Sequence, residues 1–222
     1  MKKLFSTIVA LAALGSASLN VQAQDAKASP QAGEKKASMC IGCHGIPGYQ
    51  ASFPEIHKVP MIAGQGAKYI VSALTAYKKG ERKHPTMKSI AASLSDQDMA
   101  DLAAFYEEQG KSAPVAAETK ALPEPSAQVA ELLKQGNCNT CHGANYSTPI
   151  DGSYPKLAGQ HADYLFVALK AYKTTNNPQV GRSNAIMAGM AQPFTQAQLK
   201  LLAQYLASLP TDLHTVPQSR FR

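Results

Sequence analysis

The chain has 222 residues, a formal net charge of +7 at pH 7 and a composition that is 45% hydrophobic and 17% charged. This length allows two small domains, but bulky apolar residues are few, because Trp is absent and only 7% of the residues are aromatic. The positive charge does not indicate nucleic-acid binding, since such a surface requires a clustered excess of Lys and Arg.

The N-terminal residues 1–23 have the pattern of an export signal peptide. Lys2 and Lys3 precede an apolar run over residues 4–14, and small and polar residues follow up to Ala23. The apolar run is too short to span a bilayer. We therefore expect cleavage after Ala23 and a soluble periplasmic protein with at most peripheral membrane association. An uncleaved signal that acts as an anchor is the alternative.

The pattern C-x-x-C-H occurs at residues 40–44 and again at 138–142. Two cysteines at this spacing can bond to both vinyl groups of one porphyrin, and the histidine then lies below the iron. Zinc ribbons, thioredoxin-like sites and disulfides do not require the histidine. We predict two covalently bound haem c groups. The residues are Cys40, Cys43 and the proximal ligand His44, then Cys138, Cys141 and the proximal ligand His142.

The second half of the chain repeats the first half at an offset of roughly 95 to 100 residues, the size of a small domain. Pro60 corresponds to Pro155, and the sequence Ala-Gly-Gln at 63–65 corresponds to 158–160. The repeat predicts two homologous domains and a Pro/Ala-rich linker. The predicted segments are a first domain at 24–110, the linker at 111–125, a second domain at 126–210 and a C-terminal tail at 211–222.

Hydrophobic residues at helical spacing predict helices over residues 67–79 and 162–173. Short helix-forming runs at 32–39 and 126–135 precede the two haem motifs. No stretch alternates long enough to predict a significant strand, so we expect an all-α fold. Two capping boxes, Ser95 with Asp98 and Thr195 with Gln198, predict the start of the closing helix of each domain. We expect these helices to end near residues 109 and 208.

Methionine is a suitable sixth ligand for an electron carrier, because a neutral thioether favours ferrous iron and raises the potential. Met87 and Met187 occupy matching positions in the two repeats, and we predict that both ligate iron. Met190 is an alternative to Met187, but it falls opposite Ile90, a packing position. Ligation by two histidines is a further alternative, with candidates that have no counterpart in the other repeat: His57, His84 and His161. We expect His214 to be solvated in a polar tail.

Other residues are candidates for roles around the haems. Pro47 and Pro149 are candidates to hold the loop that fixes each proximal histidine. Tyrosines on the predicted helices are candidates to bind haem propionates, namely Tyr69, Tyr77, Tyr164 and Tyr172. A basic stretch that leads through Met87 is a candidate docking surface for an acidic partner, with Lys78, Lys79, Arg82, Lys83 and Lys88.

These features resemble the cytochrome c4 family, whose members contain two fused c-type lobes. The resemblance rests on the doubled C-x-x-C-H-G motif, on the sequence Tyr-Pro-Lys-Leu-Ala-Gly-Gln at 154–160 and on the methionine loops. It implies a periplasmic electron carrier with His and Met on each iron and propionate edges that face each other about a pseudo-twofold axis. It also implies a donor such as a quinol–cytochrome c reductase and an acceptor such as a cytochrome c oxidase. The first repeat departs from the pattern at residues 59–62, which affects the expected propionate contacts.

We therefore predict a dihaem carrier of single electrons in the respiratory chain that is not an enzyme, because two filled axial positions leave no room for substrate. The cytochrome subunit of a flavocytochrome c sulfide dehydrogenase has a similar two-lobed design and is an alternative. A dihaem thiosulfate dehydrogenase or peroxidase is a second alternative. The thiosulfate enzyme would need a cysteine ligand, and the haems use all four cysteines.

Overall fold

The computed structural model describes residues 27–112 and 121–217. The predicted signal peptide and part of the predicted linker lie outside these residues. The described chain is mostly helical, and its helices fall into two lobes of the same order. Within these two ranges, no helix is long and apolar enough to cross a membrane.

Over residues 27–112, five α-helices form the first lobe. Ser29 caps the first of them, where Pro30 occupies the first turn, and Gly80 ends the third in a left-handed conformation with φ +77°. A single 3-10 turn, Gly110–Ser112, follows the last helix. The helices are α1 (Pro30–Lys36), α2 (Ser38–His44), α3 (Ala67–Lys79), α4 (Pro85–Ala92) and α5 (Asp96–Gln109).

Five further helices form the second lobe. Ser126 caps the first of them, which ends at Asn137 in a left-handed conformation with φ 44°. The helices are α6 (Ala127–Gly136), α7 (Asn139–His142), α8 (Ala162–Ala171), α9 (Ala185–Ala191) and α10 (Gln196–Ser208).

The predicted helices are present, with differences at their ends. Helix α3 has the predicted bounds, and both capping boxes form, at Ser95 and at Thr195. The run predicted as one helix over 32–39 is instead two helices separated by a turn at Ala37. Helix α8 ends two residues before the predicted end at 173.

Within residues 27–112 and 121–217 there are four strands of two residues each, which is too short for any alternating pattern in the sequence. In the first lobe, β1 (Gln50–Ala51) pairs with β2 (His57–Lys58) in antiparallel fashion. The other pair joins the two lobes, because β3 (Arg82–Lys83) lies antiparallel to β4 (Gly181–Arg182).

Each lobe has its own hydrophobic core. In the first lobe, α1 crosses α5 so closely that a Cβ at Gly33 would lie 2.1 Å from the carbonyl oxygen of Asp101. The first core contains Ile41, Ile70, Leu94, Met99, Leu102 and Phe105. The second lobe has two adjoining clusters. One contains Leu132, Phe194, Leu199 and Leu202, and the other contains Leu165, Leu206 and Leu209.

The C-terminal segment 211–217 packs against the first lobe although it follows the second. The backbone N–H of His214 donates to the carbonyl of Ala63 at 3.1 Å, and Val216 packs against the first core. Leu213 is buried, and Asp212 forms an ion pair with Lys156. The His214 side chain, expected from the sequence to be solvated, is only partly exposed, and its Nδ1 lies 2.8 Å from the carbonyl oxygen of Asp212. The tail packs along the junction of the lobes.

Candidate haem sites and the junction of the lobes

Both C-x-x-C-H motifs lie at the C-terminal end of a short helix, where α2 ends at His44 and α7 ends at His142. A helical turn places the two cysteines of each pair and the following histidine near one another. All four cysteines are partly buried, and none of them is paired in a disulfide.

Each proximal histidine hydrogen-bonds to a proline carbonyl of its own lobe. Nδ1 of His44 lies 2.8 Å from the oxygen of Pro60, and Nδ1 of His142 lies 2.9 Å from that of Pro155. Burial lowers the pKa of both imidazoles, which keeps them neutral. A neutral ring that donates from Nδ1 presents the lone pair of Nε2 to a metal.

The prolines in these hydrogen bonds are not the ones that the sequence suggested. Pro47 and Pro149 lie closer to the histidines along the chain, but the acceptors are the carbonyls of Pro60 and Pro155. These two prolines correspond to each other in the repeat. That correspondence is the sequence signal that could have identified the acceptors.

Met87 and Met187 occupy matching positions in the structure. Each is the third residue of a short helix, and its backbone N–H donates to the side chain that caps this helix. The acceptor is Nδ1 of His84 for Met87, at 3.4 Å, and Oδ1 of Asn184 for Met187, at 2.9 Å. Both methionines are half-buried, whereas the side chain of Met190 is 46% exposed.

The histidines considered as alternative ligands have other contacts. His84 caps α4, and burial, together with His57 and Arg82, lowers its pKa to about 4, so Nδ1 accepts a hydrogen bond. His57 is buried, and its Nδ1 donates to the carbonyl of Lys58 at 2.9 Å. His161 is partly buried at the start of α8.

Two arginines meet a group of tyrosines where β3 and β4 join the lobes, and Arg82 pairs directly with Arg182 in the strand register. The guanidinium of Arg82 donates to the Tyr164 hydroxyl at 2.6 Å and lies 4.5 Å from the centre of the Tyr77 ring. The guanidinium of Arg182 donates to the Tyr164 hydroxyl at 3.2 Å and to that of Tyr172 at 3.4 Å. No local pattern in the sequence predicts this arrangement, although the two arginines occupy matching positions in the repeat.

This junction has the features of a site for anionic groups. Arg82 is 9% exposed, and its Nε is buried without a hydrogen-bond partner. Within the described ranges, neither Arg82 nor Arg182 forms an ion pair with a carboxylate. Burial alone would raise the pKa of Tyr164, but the two guanidinium groups outweigh it and lower the pKa to about 7. A buried excess of positive charge of this kind fits haem propionates.

The basic stretch predicted as a docking surface is not a continuous surface. Arg82 is buried, Lys78 donates to the carbonyl of Leu94 at 2.5 Å, and Lys83 donates to that of Asn177 at 2.6 Å. Lys78, Lys79 and Lys88 are exposed, although the ammonium group of Lys78 is hydrogen-bonded. Arg82 and Lys83 instead belong to the junction of the lobes and divide the exposed lysines.

Two similar helical lobes, each with a C-x-x-C-H motif, define a two-domain c-type cytochrome. In agreement, the family model described as cytochrome c matches residues 30–108 and 126–210. The chain is 34% identical over 192 residues to a cytochrome c4 of Thiocapsa roseopersicina, covering 81% of this chain and 92% of that protein. The chain belongs to the cytochrome c4 family, and it contains two covalently bound haem c groups.

Two further similarities extend over most of the chain. A solved structure of cytochrome c4 from Acidithiobacillus ferrooxidans superposes with a TM-score of 0.57 at 28% identity, covering 78% of this chain and 99% of that one. A protein of Stutzerimonas stutzeri described as a thiosulfate dehydrogenase electron acceptor is 31% identical over 213 residues. That match covers 90% of this chain and 94% of the relative.

Proposed function

We propose that this dihaem electron-transfer cytochrome is a periplasmic carrier of single electrons. His44 and Met87 would ligate the iron of the first lobe, and His142 and Met187 that of the second. The observation that carries this proposal is the matched arrangement in both lobes. Each histidine is neutral and donates from Nδ1 to a proline carbonyl, and each methionine is the third residue of a capped helix.

The side chains around each site have distinct tasks in this mechanism. When bound, each haem supplies an iron that gains and loses one electron. The carbonyls of Pro60 and Pro155 hold the proximal rings in one tautomer, which would leave Nε2 of each ring to bind the iron. Met87 and Met187 would supply the second protein ligand of each iron, which would exclude substrate, and for this reason we propose no enzymatic activity.

Arg82 and Arg182 would hold the haem propionates at the junction of the lobes. The orphaned Nε of Arg82 supports this assignment, because a buried donor without an acceptor is costly. Tyr164 accepts hydrogen bonds from both arginines and would orient them. The guanidinium groups would stabilise the propionates in their charged form in both oxidation states of the iron.

We further propose that the redox partners of the protein belong to the respiratory chain, with a quinol–cytochrome c reductase as donor and a cytochrome c oxidase as acceptor. A second candidate donor is a thiosulfate dehydrogenase, because a relative at 31% identity is described as the electron acceptor of that enzyme. Stopped-flow reduction of the ferric protein by each purified donor distinguishes the two candidates.

The test of ligation is an optical spectrum of the matured protein with a haem count per chain. We expect two c-type haems and the weak near-infrared band of methionine bound to ferric iron. Met87→Ala and Met187→Ala should each remove about half of this band. Met190→Ala is the matched control and should leave it unchanged. A band that survives in Met187→Ala but is reduced in Met190→Ala would assign the ligand to Met190 instead.

A further inference from the structure

Two buried glutamines, Gln65 and Gln160, bind the backbone of the opposite lobe in the same manner. Gln160 accepts from the N–H of Met61 at 3.0 Å and donates to the carbonyl of the same residue at 2.8 Å. Gln65 accepts from the N–H of Lys156 at 2.8 Å and donates to its carbonyl at 3.1 Å. The glutamines are 4% and 3% exposed, so water does not compete for these contacts.

The residues that the glutamines bind directly follow the prolines that accept from the proximal histidines. The carbonyl of Pro60 and the N–H of Met61 belong to one peptide group, which is planar and rigid. Gln160 holds this group at its N–H end, while Nδ1 of His44 donates to its oxygen end at 2.8 Å. One rigid unit therefore links a side chain of the second lobe to the proximal histidine of the first.

The reverse connection has the same geometry. Gln65 of the first lobe holds the N–H of Lys156, and the oxygen of the same peptide group, from Pro155, accepts from Nδ1 of His142 at 2.9 Å. In both repeats the proline and the glutamine belong to the same short motif, Pro-x-x-Ala-Gly-Gln at residues 60–65 and 155–160. The proline of each motif is thus held by the glutamine of the other motif.

We propose that Gln65 and Gln160 are positioning residues, each of which sets the proximal histidine of the haem in the opposite lobe. This proposal rests on the proposed ligation of iron by His44 and His142. Packing of the lobes then determines the electronic properties of both irons. A lobe separated from its partner would lose the support of its proximal histidine although all its own residues were intact.

Polarisation of the hydrogen bonds predicts the sign of the change in haem potential. An amide whose N–H donates to a glutamine oxygen has a more negative carbonyl oxygen, which is a stronger acceptor for the imidazole N–H. A stronger hydrogen bond makes the imidazole a more basic ligand, and a more basic ligand stabilises ferric iron. Loss of one glutamine should therefore raise the potential of the haem in the other lobe.

The experiment uses the full-length protein with both haems and the variants Gln160→Met and Gln65→Met, which keep the length of the side chain. Spectroelectrochemical titration gives the two potentials. Hyperfine-shifted haem resonances of the ferric protein, assigned to a lobe through contacts with residues beside Cys40 or Cys138, report each axial environment. We expect Gln160→Met to raise mainly the first-lobe potential and to move the first-lobe resonances, and Gln65→Met to do so in the second lobe.

Each glutamine is the matched control for the other, because both changes weaken the same junction. A glutamine that only joins the lobes would move both potentials equally, or only that of its own lobe, or neither, and any of these results would overturn the proposal. If Gln160→Met does not mature with two haems, Gln160→Asn and Gln65→Asn are compared in the same way. Failure of the proposed ligation is seen separately, as absence of the near-infrared band from the unmodified protein.

Discussion

The two lobes have the same haem machinery but hold their opening helices in different ways. In the first lobe, the buried carboxylate of Asp101 accepts hydrogen bonds from the N–H of Ser29 at 2.9 Å and from Lys36 at 2.7 Å. In the second lobe, the repeat places Leu201 at this position, where it packs against the core.

The glycine at the helix crossing differs too. In the first lobe, Gly33 follows the capping Ser29 by four positions and contacts the backbone of α5. In the second lobe, the residue four positions after the capping Ser126 is Ala130. The positions that serve the haems are duplicated, and the positions that hold the opening helices have diverged. We therefore expect changes at the haems to have matched effects in the two lobes, and changes around the opening helices to have unequal effects.

The largest expected effect is on the potentials. Met87→His should lower the potential of the first haem, and Met187→His that of the second, because imidazole favours ferric iron more than a thioether does. We expect each drop to be about one to three tenths of a volt, part of the ~0.8 V range that axial ligands span. Spectroelectrochemical titration measures both centres, with Met190→His as the control. Unchanged potentials in Met87→His would exclude Met87 as a ligand.

The next effect concerns the crossing of α1 and α5. Gly33→Ala should lower the free energy of unfolding of the first lobe by about 1–3 kcal/mol, because the added Cβ has no space beside the backbone of Asp101. The reciprocal change Ala130→Gly should cost only about 1 kcal/mol, through helix propensity. Denaturant titration, followed by amide exchange in α5 and α10, separates the lobes. Equal costs would show that the crossings are equivalent.

A third effect distinguishes the lobes by their response to acid. Despite burial, which opposes it, hydrogen bonds from Lys36, Ser29 and Gln97 lower the pKa of Asp101 below its ordinary value of 3.8. A lowered folded-state pKa stabilises the fold above pH 3.8, and this contribution disappears as the pH falls through the folded pKa. Asp101→Asn should therefore cost roughly 1–3 kcal/mol at pH 7 and progressively less below about pH 4.

Unfolding titrations of the unmodified protein and of Asp101→Asn at several pH values measure this difference. Asp151→Asn is the comparison in the second lobe, because Asp151 is exposed and hydrogen bonds from Ser153 of the same loop lower its pKa as well. The acid response of the buried Asp101 is then the excess over this variant. A difference between Asp101→Asn and the unmodified protein that stayed constant down to pH 2 would contradict the role of the charged carboxylate.

The sequence predicted the local structure of both lobes better than it predicted the contacts between distant residues. Local patterns succeeded: the bounds of α3 followed from hydrophobic spacing, and the starts of α5 and α10 from their capping boxes. Contacts between distant residues were missed or misassigned, because proximity along the chain favoured Pro47 over Pro60. The sequences of the two short strands contain no pattern that predicts the pairing of Arg82 with Arg182. The two arginines are related only by their matching positions in the repeat.

The same limit applies to the charge pattern and to the tail. The basic stretch that leads through Met87 has the composition of a docking surface. In the fold, however, Arg82 is buried, and Lys83 donates a hydrogen bond to the Asn177 carbonyl of the other lobe. His214 lies in a polar segment, yet its backbone pairs with Ala63 of the first lobe. Charge and polarity predict exposure only when the packing of the lobes is known.

The smallest expected effect tests whether the closing helices have remained equivalent. Ser95 and Thr195 each accept a hydrogen bond from the N–H three residues ahead, at 3.1 Å and 3.3 Å. Loss of such a cap costs about 1 kcal/mol, so Ser95→Ala and Thr195→Ala should destabilise their own lobes by similar amounts. Amide exchange in α5 and α10 measures each cost.

Besides the change from Ser to Thr, the two caps differ in the residue that completes each capping box. Asp98 also forms an ion pair with Lys36 of α1 at 2.7 Å, whereas Gln198 is neutral. This ion pair is partly exposed and contributes little, so it should not alter the balance. A much larger cost for Ser95→Ala would mean that the cap, Asp98 and Lys36 act as one unit. The divergence of the scaffold would then extend from the opening helices to the closing ones.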